Sequence, residues 1–239
     1  VDRSFAIKGF GTVVTGTLQQ GVNAREEEVE VHPLGRRLRV RGVQVHGEQV
    51  DRAEAGERTA LNLAGADWTE LHRGMVLTRP GLFQPVSRFD AMLNLLPDAK
   101  NLQTGAPVHF HAGSAEIEAE VRLLGGKRVL RAGEQSWTRF ELRDPALLLP
   151  GDRFIIRRFS PVITIGGGVV LDIAPPRYRR RQDAGARLEV LAKGSAAERI
   201  ALLAGESAWG MGLDLLAART GLSADAIREA AGKAAGLVS

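Results

Sequence analysis

The chain has 239 residues, 44% of them hydrophobic and 25% charged, with a formal charge of +4, a pI near 9.9 and no cysteine. That length allows two or three domains with cores of their own, and the composition is that of an ordinary globular protein. It excludes disulfides and Cys-ligated metals, an apolar run of the roughly 18 to 20 residues that span a bilayer, and a charged-then-apolar leader, in keeping with a cytoplasmic protein.

Five of the 32 basic side chains are Lys and the rest are Arg. Arg contacts phosphate in bidentate fashion and stacks on bases, which suits RNA. A codon bias toward Arg with a solvated mixed-charge surface gives the same composition, so both readings stay open. The first residues already read as a strand, without Met, as in a segment of a longer protein.

Residues 1–173 read as strands. Short or alternating apolar runs recur at 5–7, 13–18, 29–31, 38–45, 60–63 and 75–77, then at 89–96, 108–111, 117–124, 137–142, 154–158 and 163–173. The Pro- and Gly-containing break at 80–85 divides them. Many short strands without helical patterns between them predict two small antiparallel β-barrels, at 1–83 and 84–174. Pro175 and Pro176 stop the strand pattern, and 175–186 reads as a basic linker around RYRRR at 177–181. There Arg177 and Arg179 could touch RNA phosphate and Tyr178 could stack on a base; a solvated hinge is the competing reading.

From 187 the composition turns to Ala, Leu and Glu at helical spacing. Ser195 and Glu198 have capping-box spacing, and 213–219, 220–223 and 224–234 read as helix, turn, helix with Ser223 as N-cap. This predicts a truncated winged helix at 187–239, its wing starting where the chain stops at 236–239. Residues 224–236 offer Arg228 and Lys233 as their basic groups, a poor helix for reading a nucleic-acid groove.

The segment GFGTVVTGT at 9–17 has glycines at P-loop spacing. However, Thr17 stands where the phosphate-binding Lys belongs, and a strand follows instead of a helix N-terminus. It predicts a tight turn into a β-rich strand. Gly166, Gly167 and Gly168 lie between strand-like runs and predict a bulge or packed turn. His109 and His111 share one strand face, where structural, RNA-contacting and metal-binding roles remain open. No Ser/His/Asp order, carboxylate pair or metal spacing suggests an enzyme.

DRSFAIKGFGTVVTGT at 2–17 resembles the opening of the second domain of elongation factor Tu-like translational GTPases. Its KGFGTVVTGT form resembles the selenocysteine-specific branch, SelB. GERTALNLAG at 56–65 and LHRGMVL at 71–77 resemble later strands of that domain; HFHAGS at 109–114, PGDRF at 150–154 and TIGGG at 164–168 resemble the third. The helical extension adds to the likeness, since elongation factor Tu ends after its third domain.

The resemblance implies a pocket for the aminoacyl group at the tRNA 3′ end. On matching positions it places Asp2, Arg3 and Arg73 there, with Phe5 as an apolar wall. A selenol ionises at neutral pH whereas the serine hydroxyl of the precursor does not, so cations would favour the selenocysteyl form. It further implies a third-domain surface near the tRNA, at His109 and His111. The implied protein is a monomeric, RNA-binding translation factor that brings selenocysteyl-tRNA to the ribosome. GTP and magnesium would be held by a GTPase domain outside these residues, and an mRNA hairpin by later winged helices. The segment itself would have no catalysis. Two alternatives are the same domains of another translational GTPase and a DNA-binding winged-helix regulator with β-barrel sensors.

Overall fold

The computed structural model describes residues 1–178 and 184–235, with side chains as far as Gly232. The fold is mainly β with a helical C-terminal part, and falls into two compact units: Val1–Pro85 with Gly113–Ala115, and Val86–Ala112 with Glu116–Ser239. Among the described residues no helix is long and apolar enough to cross a membrane.

The first unit contains β1 (Arg3–Ile7), β2 (Gly11–Thr17), β3 (Val22–Ala24), β4 (Glu28–His32), β5 (Arg36–Val45), β6 (Glu48–Val50), β7 (Arg52–Glu54), β8 (Arg58–Ala64) and β9 (Val76–Thr78). The main sheet runs β1-β2-β8-β5-β4-β9 with β6 on β5, while β3 and β7 form a separate ribbon. Strand alternation sends Val14, Val29, Val31, Leu38, Val40 and Leu63 into one core. As the glycine pattern predicts, β1 turns tightly into β2: Gly9 and Gly11 have φ of +85° and +89°, and Phe10 N–H donates to the Ile7 carbonyl at 3.0 Å.

The edges of this sheet, β1 and β9, are not paired in a ladder, but the residues leading into them meet. The Val1 nitrogen donates to the Met75 carbonyl at 2.6 Å, and Gly74 N–H donates to the Val1 carbonyl at 3.0 Å. Residues 68–70, unassigned from sequence, make a short 3-10 turn. Asp67 and Glu70 form its capping box, a signal present in the order Asp67-Trp68-Thr69-Glu70.

His32 is buried at the end of β4, its Nε2 2.8 Å from Thr78 Oγ1 and its Nδ1 without a partner. Burial holds its pKa below the usual imidazole value, outweighing the opposing pull of Glu30. A base depressed in the folded state contributes stability above its unfolded value, about 6.5, and loses it as pH falls from that value through the lower folded one. Unfolding of this unit, followed by urea titration, should therefore weaken from pH 7.5 to 5.5. His32→Gln should flatten that dependence; an unchanged pH profile would assign it to other groups.

The second unit contains β10 (Val86–Leu95), β11 (Leu102–Gln103), β12 (Ala106–Ala112), β13 (Ala115–Leu123), β14 (Val129–Leu130), β15 (Gln135–Ala146), β16 (Arg153–Arg157) and β17 (Thr164–Asp172). Six strands close in the order β10-β15-β13-β12-β16-β17, with β11 and β14 as a ribbon. Phe89, Phe110, Phe140 and Phe154 fill the barrel, with ring centroids 5.1–6.2 Å apart. Burying each such ring contributes roughly 1.5–3 kcal/mol.

Gly166, Gly167 and Gly168 do not form the predicted turn. They continue β17 and pair with both β10 and β16. The bulge that does occur leaves Ile165 as the extra residue between the pairs Arg157↔Thr164 and Ile156↔Gly166. The glycines are required by close backbone approach, since a Cβ at Gly168 would stand 1.8 Å from the Met92 carbonyl oxygen.

Four helices follow: α1 (Ala184–Lys193), α2 (Ala196–Gly205), α3 (Leu213–Thr220) and α4 (Ala224–Ala235). The predicted Ser195/Glu198 capping box opens α2, and Ser223 Oγ accepts from Ala226 N–H at 3.2 Å at the start of α4. Gly221 ends α3 in the left-handed conformation, where a Cβ would lie 2.8 Å from the Pro150 carbonyl oxygen. Leu188, Leu203, Leu216 and Ile227 share a core with Leu124 and Leu171 of the barrel.

Buried charges reinforce that packing. Arg139 grips Asp90 through Nε at 2.7 Å and Nη2 at 3.0 Å, while the Tyr178 hydroxyl donates to Asp90 at 2.9 Å. Asp172 accepts from Arg187 at 2.6 Å and from Arg219 at 3.0 and 3.1 Å, and both Arg side chains also pair with Glu206. Burial alone would lower the Arg187 pKa, but its bonds to Glu206 and Asp172 raise it above the usual guanidinium value. Tyr178 is thus not a free stacking residue on a solvated hinge. Its ring lies under the Arg139 guanidinium, 4.8 Å from the centroid, and its phenol pKa is raised by burial and by Asp90.

Candidate functional site

Three of the four residues assigned to the pocket lie in β1, at Arg3 and Phe5, or directly before it, at Asp2. Its register pairs Arg3 with Thr15 and Phe5 with Val13, and β2 pairs Thr15 with Ala60 and Thr17 with Arg58. Directly paired residues share a face, so Arg3, Phe5, Thr15 and Arg58 all lie on the side away from the Val14 core. Asp2 joins them: its Oδ2 accepts from Arg58 Nη1 at 2.6 Å, and its backbone N–H donates to the Thr15 carbonyl at 2.7 Å.

Asp2 therefore orients an arginine, but that arginine is Arg58. The resemblance did not single it out, although GERTALNLAG at 56–65 contains it. Arg73 precedes Gly74, whose N–H meets the Val1 carbonyl, and its Nε donates to the Ser114 carbonyl at 3.3 Å, within the same compact unit. The site thus combines one carboxylate, Arg3 and Arg58, and the edge of Phe5, which is 36% exposed. Between the cations Thr15 Oγ1 is buried without a partner, the kind of orphaned group a bound ligand can satisfy.

One step along the same face opens a cleft of about 560 Å³. Ile7, Phe10 and Val13 give it an apolar side, Gln44, Gln49 and Asn62 supply amides, and Arg25 and Arg41 stand at its mouth. Asn62 Nδ2 donates to the Phe10 carbonyl at 2.8 Å, tying the hairpin tip to β8. Apolar walls with a few placed polar groups are the usual make-up of a small-ligand site.

In the second unit His109 and His111 share the outer face of β12, as the spacing predicts. His109 Nδ1 lies 3.3 Å from Glu116 Oε1, and its ring packs on Phe159 with centroids 4.0 Å apart. Burial lowers the His111 pKa, and its Nε2 has no partner. Among the described residues no group of three or more His, Asp or Glu could hold a metal. Arg177 is exposed; Arg179 and the predicted wing at 236–239 lie outside the described residues. On α4, Arg228 is paired with Asp225 at 2.7 Å, and the Lys233 side chain lies outside the described residues.

Two family descriptions match in tandem: "Elongation factor Tu domain 2" over residues 11–78, and "Selenocysteine-specific elongation factor, beta-barrel domain" over 89–177. The chain belongs to the selenocysteine-specific elongation factor family. A relative of that name from Desulfomicrobium baculatum is 42% identical over 181 residues, covering 75% of this chain and 28% of the relative. Another from Haemophilus influenzae is 31% identical over 207 residues, covering 84% of this chain and 32% of the relative. The crystal structure of bacterial selenocysteine-specific elongation factor EF-Sec superposes with a TM-score of 0.76 at 26% identity, over 93% of this chain and 35% of that one. The chain thus spans about a third of the length of the relatives it matches. Arg58 and Arg73, like most of the cleft, fall within the elongation factor Tu domain 2 match, whereas Asp2, Arg3, Phe5, Ile7 and Phe10 precede it in the same compact unit.

Proposed function

We propose that this chain is the tRNA-holding part of a selenocysteine-specific elongation factor. In this reading the Asp2–Arg58 pair, Arg3 and Phe5 receive the selenocysteinyl group, with Arg73 as an outer cation, and the adjacent cleft receives the terminal nucleotide of the tRNA. The observation that carries it is the 2.6 Å Asp2–Arg58 contact on the face that also holds Arg3. Asp2 fixes the Arg58 guanidinium without neutralising both arginines, which leaves a net positive site for a selenolate. A neutral seryl group would leave that net positive charge uncompensated once water is displaced, so the pocket rejects it as well as attracting its competitor.

The longer protein would bind GTP and magnesium through its GTPase domain and deliver selenocysteyl-tRNA to the ribosome in the cytoplasm. His109, His111 and Arg177 would lie along the tRNA, and further winged helices would hold the mRNA hairpin. The helix-turn-helix would act as a spacer, a role supported by the internal pairing of Arg228.

The test compares the affinity of the longer protein, loaded with a GTP analogue, for selenocysteyl and seryl forms of one tRNA. At least tenfold preference for the selenocysteyl form is expected. Equal affinities would remove the selenium pocket while leaving the domains as those of a translation factor.

A further inference from the structure

We infer that Arg25 and Arg41 clamp the 5′-phosphate of the terminal nucleotide, so that the tRNA strand leaves the cleft over these two guanidinium groups. The inference rests on the reading above, in which the cleft takes that nucleotide.

It starts from a break in the sheet. Along β5 and β8, Val40 pairs with Leu63 and Gly42 with Asn62, so Arg41 is an extra residue with no partner opposite. A bulge of this kind re-aims the inserted side chain, and here that side chain is exposed at the mouth of the cleft. The next residue, Gly42, has no side chain to fill the space between Arg41 and Asn62. Arg25 reaches the same mouth from the ribbon side, where its backbone N–H donates to the Asp51 carbonyl at 2.9 Å.

The carboxylates facing the two cations are Asp51 and Glu26. Glu26 is held by Arg39 at 2.5 Å and lies 3.6 Å from Arg25, while Arg41 has no ion pair among the described residues. The mouth therefore offers two guanidinium groups, which favour phosphate through bidentate hydrogen bonding.

The order of groups along the face gives a direction. From Arg58 to Ala60 to Asn62 each step covers two residues, about 6.7 Å in a strand. Arg3 and Arg58 mark one end, the apolar Val13 with the Asn62 amide comes next, and the inserted Arg41 follows between the Gly42↔Asn62 and Val40↔Leu63 pairs, with Arg25 lining the same cleft. An aminoacyl nucleotide presents the same sequence: ester-linked side chain, then ribose and base, then 5′-phosphate.

Binding to the 239-residue chain would be measured by titration calorimetry at low salt with three probes: adenosine, CpA, whose phosphate is on the 5′ side of adenosine, and ApC, whose phosphate is on the 3′ side. CpA is expected to bind about tenfold more tightly than adenosine, with ApC gaining much less. Arg25→Ala and Arg41→Ala should each remove most of the CpA gain and leave adenosine unchanged. In the longer protein they should weaken selenocysteyl- and seryl-tRNA by the same factor. Equal binding of adenosine and CpA, or equal loss of both in the variants, would overturn the clamp and leave the cleft standing. Absence of binding by any probe would overturn both clamp and cleft, without touching the preference measured at Arg3 and Arg58.

Discussion

Removing both cations, in an Arg3→Ala, Arg58→Ala variant, is expected to lower affinity for selenocysteyl-tRNA about 100-fold and to leave seryl-tRNA within about threefold. A hydrogen bond to a charged group contributes roughly 1.5–3 kcal/mol, and each 1.4 kcal/mol is a factor of ten. The Arg58 side chain is 61% exposed in the free protein, so the lower end of that range applies to each residue. Measured by tRNA protection with the longer protein bound to a GTP analogue, the loss should fall on one aminoacyl form. Arg73→Ala should have a smaller effect, because its guanidinium is turned to the Ser114 carbonyl. Equal losses for both aminoacyl forms in the double variant would mean that the arginines hold the tRNA body and do not read the selenolate.

Gly168→Ala should destabilise the second unit by about 4 kcal/mol, or prevent it from folding. The added Cβ would stand 1.8 Å from the Met92 carbonyl oxygen and 3.0 Å from the Phe154 ring. Neither can retreat cheaply: the carbonyl belongs to the β10–β17 ladder and the ring fills the barrel. For a unit of this size that loss corresponds to a melting temperature lower by about 10 °C or more. Gly205→Ala is the contrasting case, because nothing lies within 4 Å of its Cβ position at the end of α2. There the gain in helix propensity should stabilise by at most about 1 kcal/mol. If Gly168→Ala melted like the unsubstituted chain, the close strand approach would have to relax without cost, and the glycine run would need another explanation.

These two cases mark the limits of reading the chain locally. Ala at 168 looks harmless in sequence, since the triplet is flanked by good strand formers and reads as a bulge or packed turn. The true constraint is the distance to the Met92 carbonyl and the Phe154 ring, which belong to other strands of the barrel. Arg58 was visible as one more arginine in a strand, and only the β2–β8 register brings it to Asp2, 56 residues earlier. Tyr178 sits in a basic stretch that reads as solvated, yet Asp90, 88 residues away, fixes its hydroxyl.

By itself the sequence determined whatever depends on neighbouring residues. Side-chain alternation marked most strands and put Val14 toward a core, Gly9 and Gly11 set a hairpin that needs positive φ, Ser195 and Glu198 capped α2, and Gly221 ended α3. Each of these follows from local sterics or a hydrogen bond spanning a few residues. The tertiary structure alone decided the near-closure of the first sheet at Val1, the approach of β10 and β16 to the Gly166–168 run, and the salt bridges that bind the helices to the second barrel. It also decided which arginine Asp2 holds. The reason is physical: a charge or a backbone carbonyl chooses its partner by distance in space, and strand register, which sets that distance, is fixed by packing across the whole sheet.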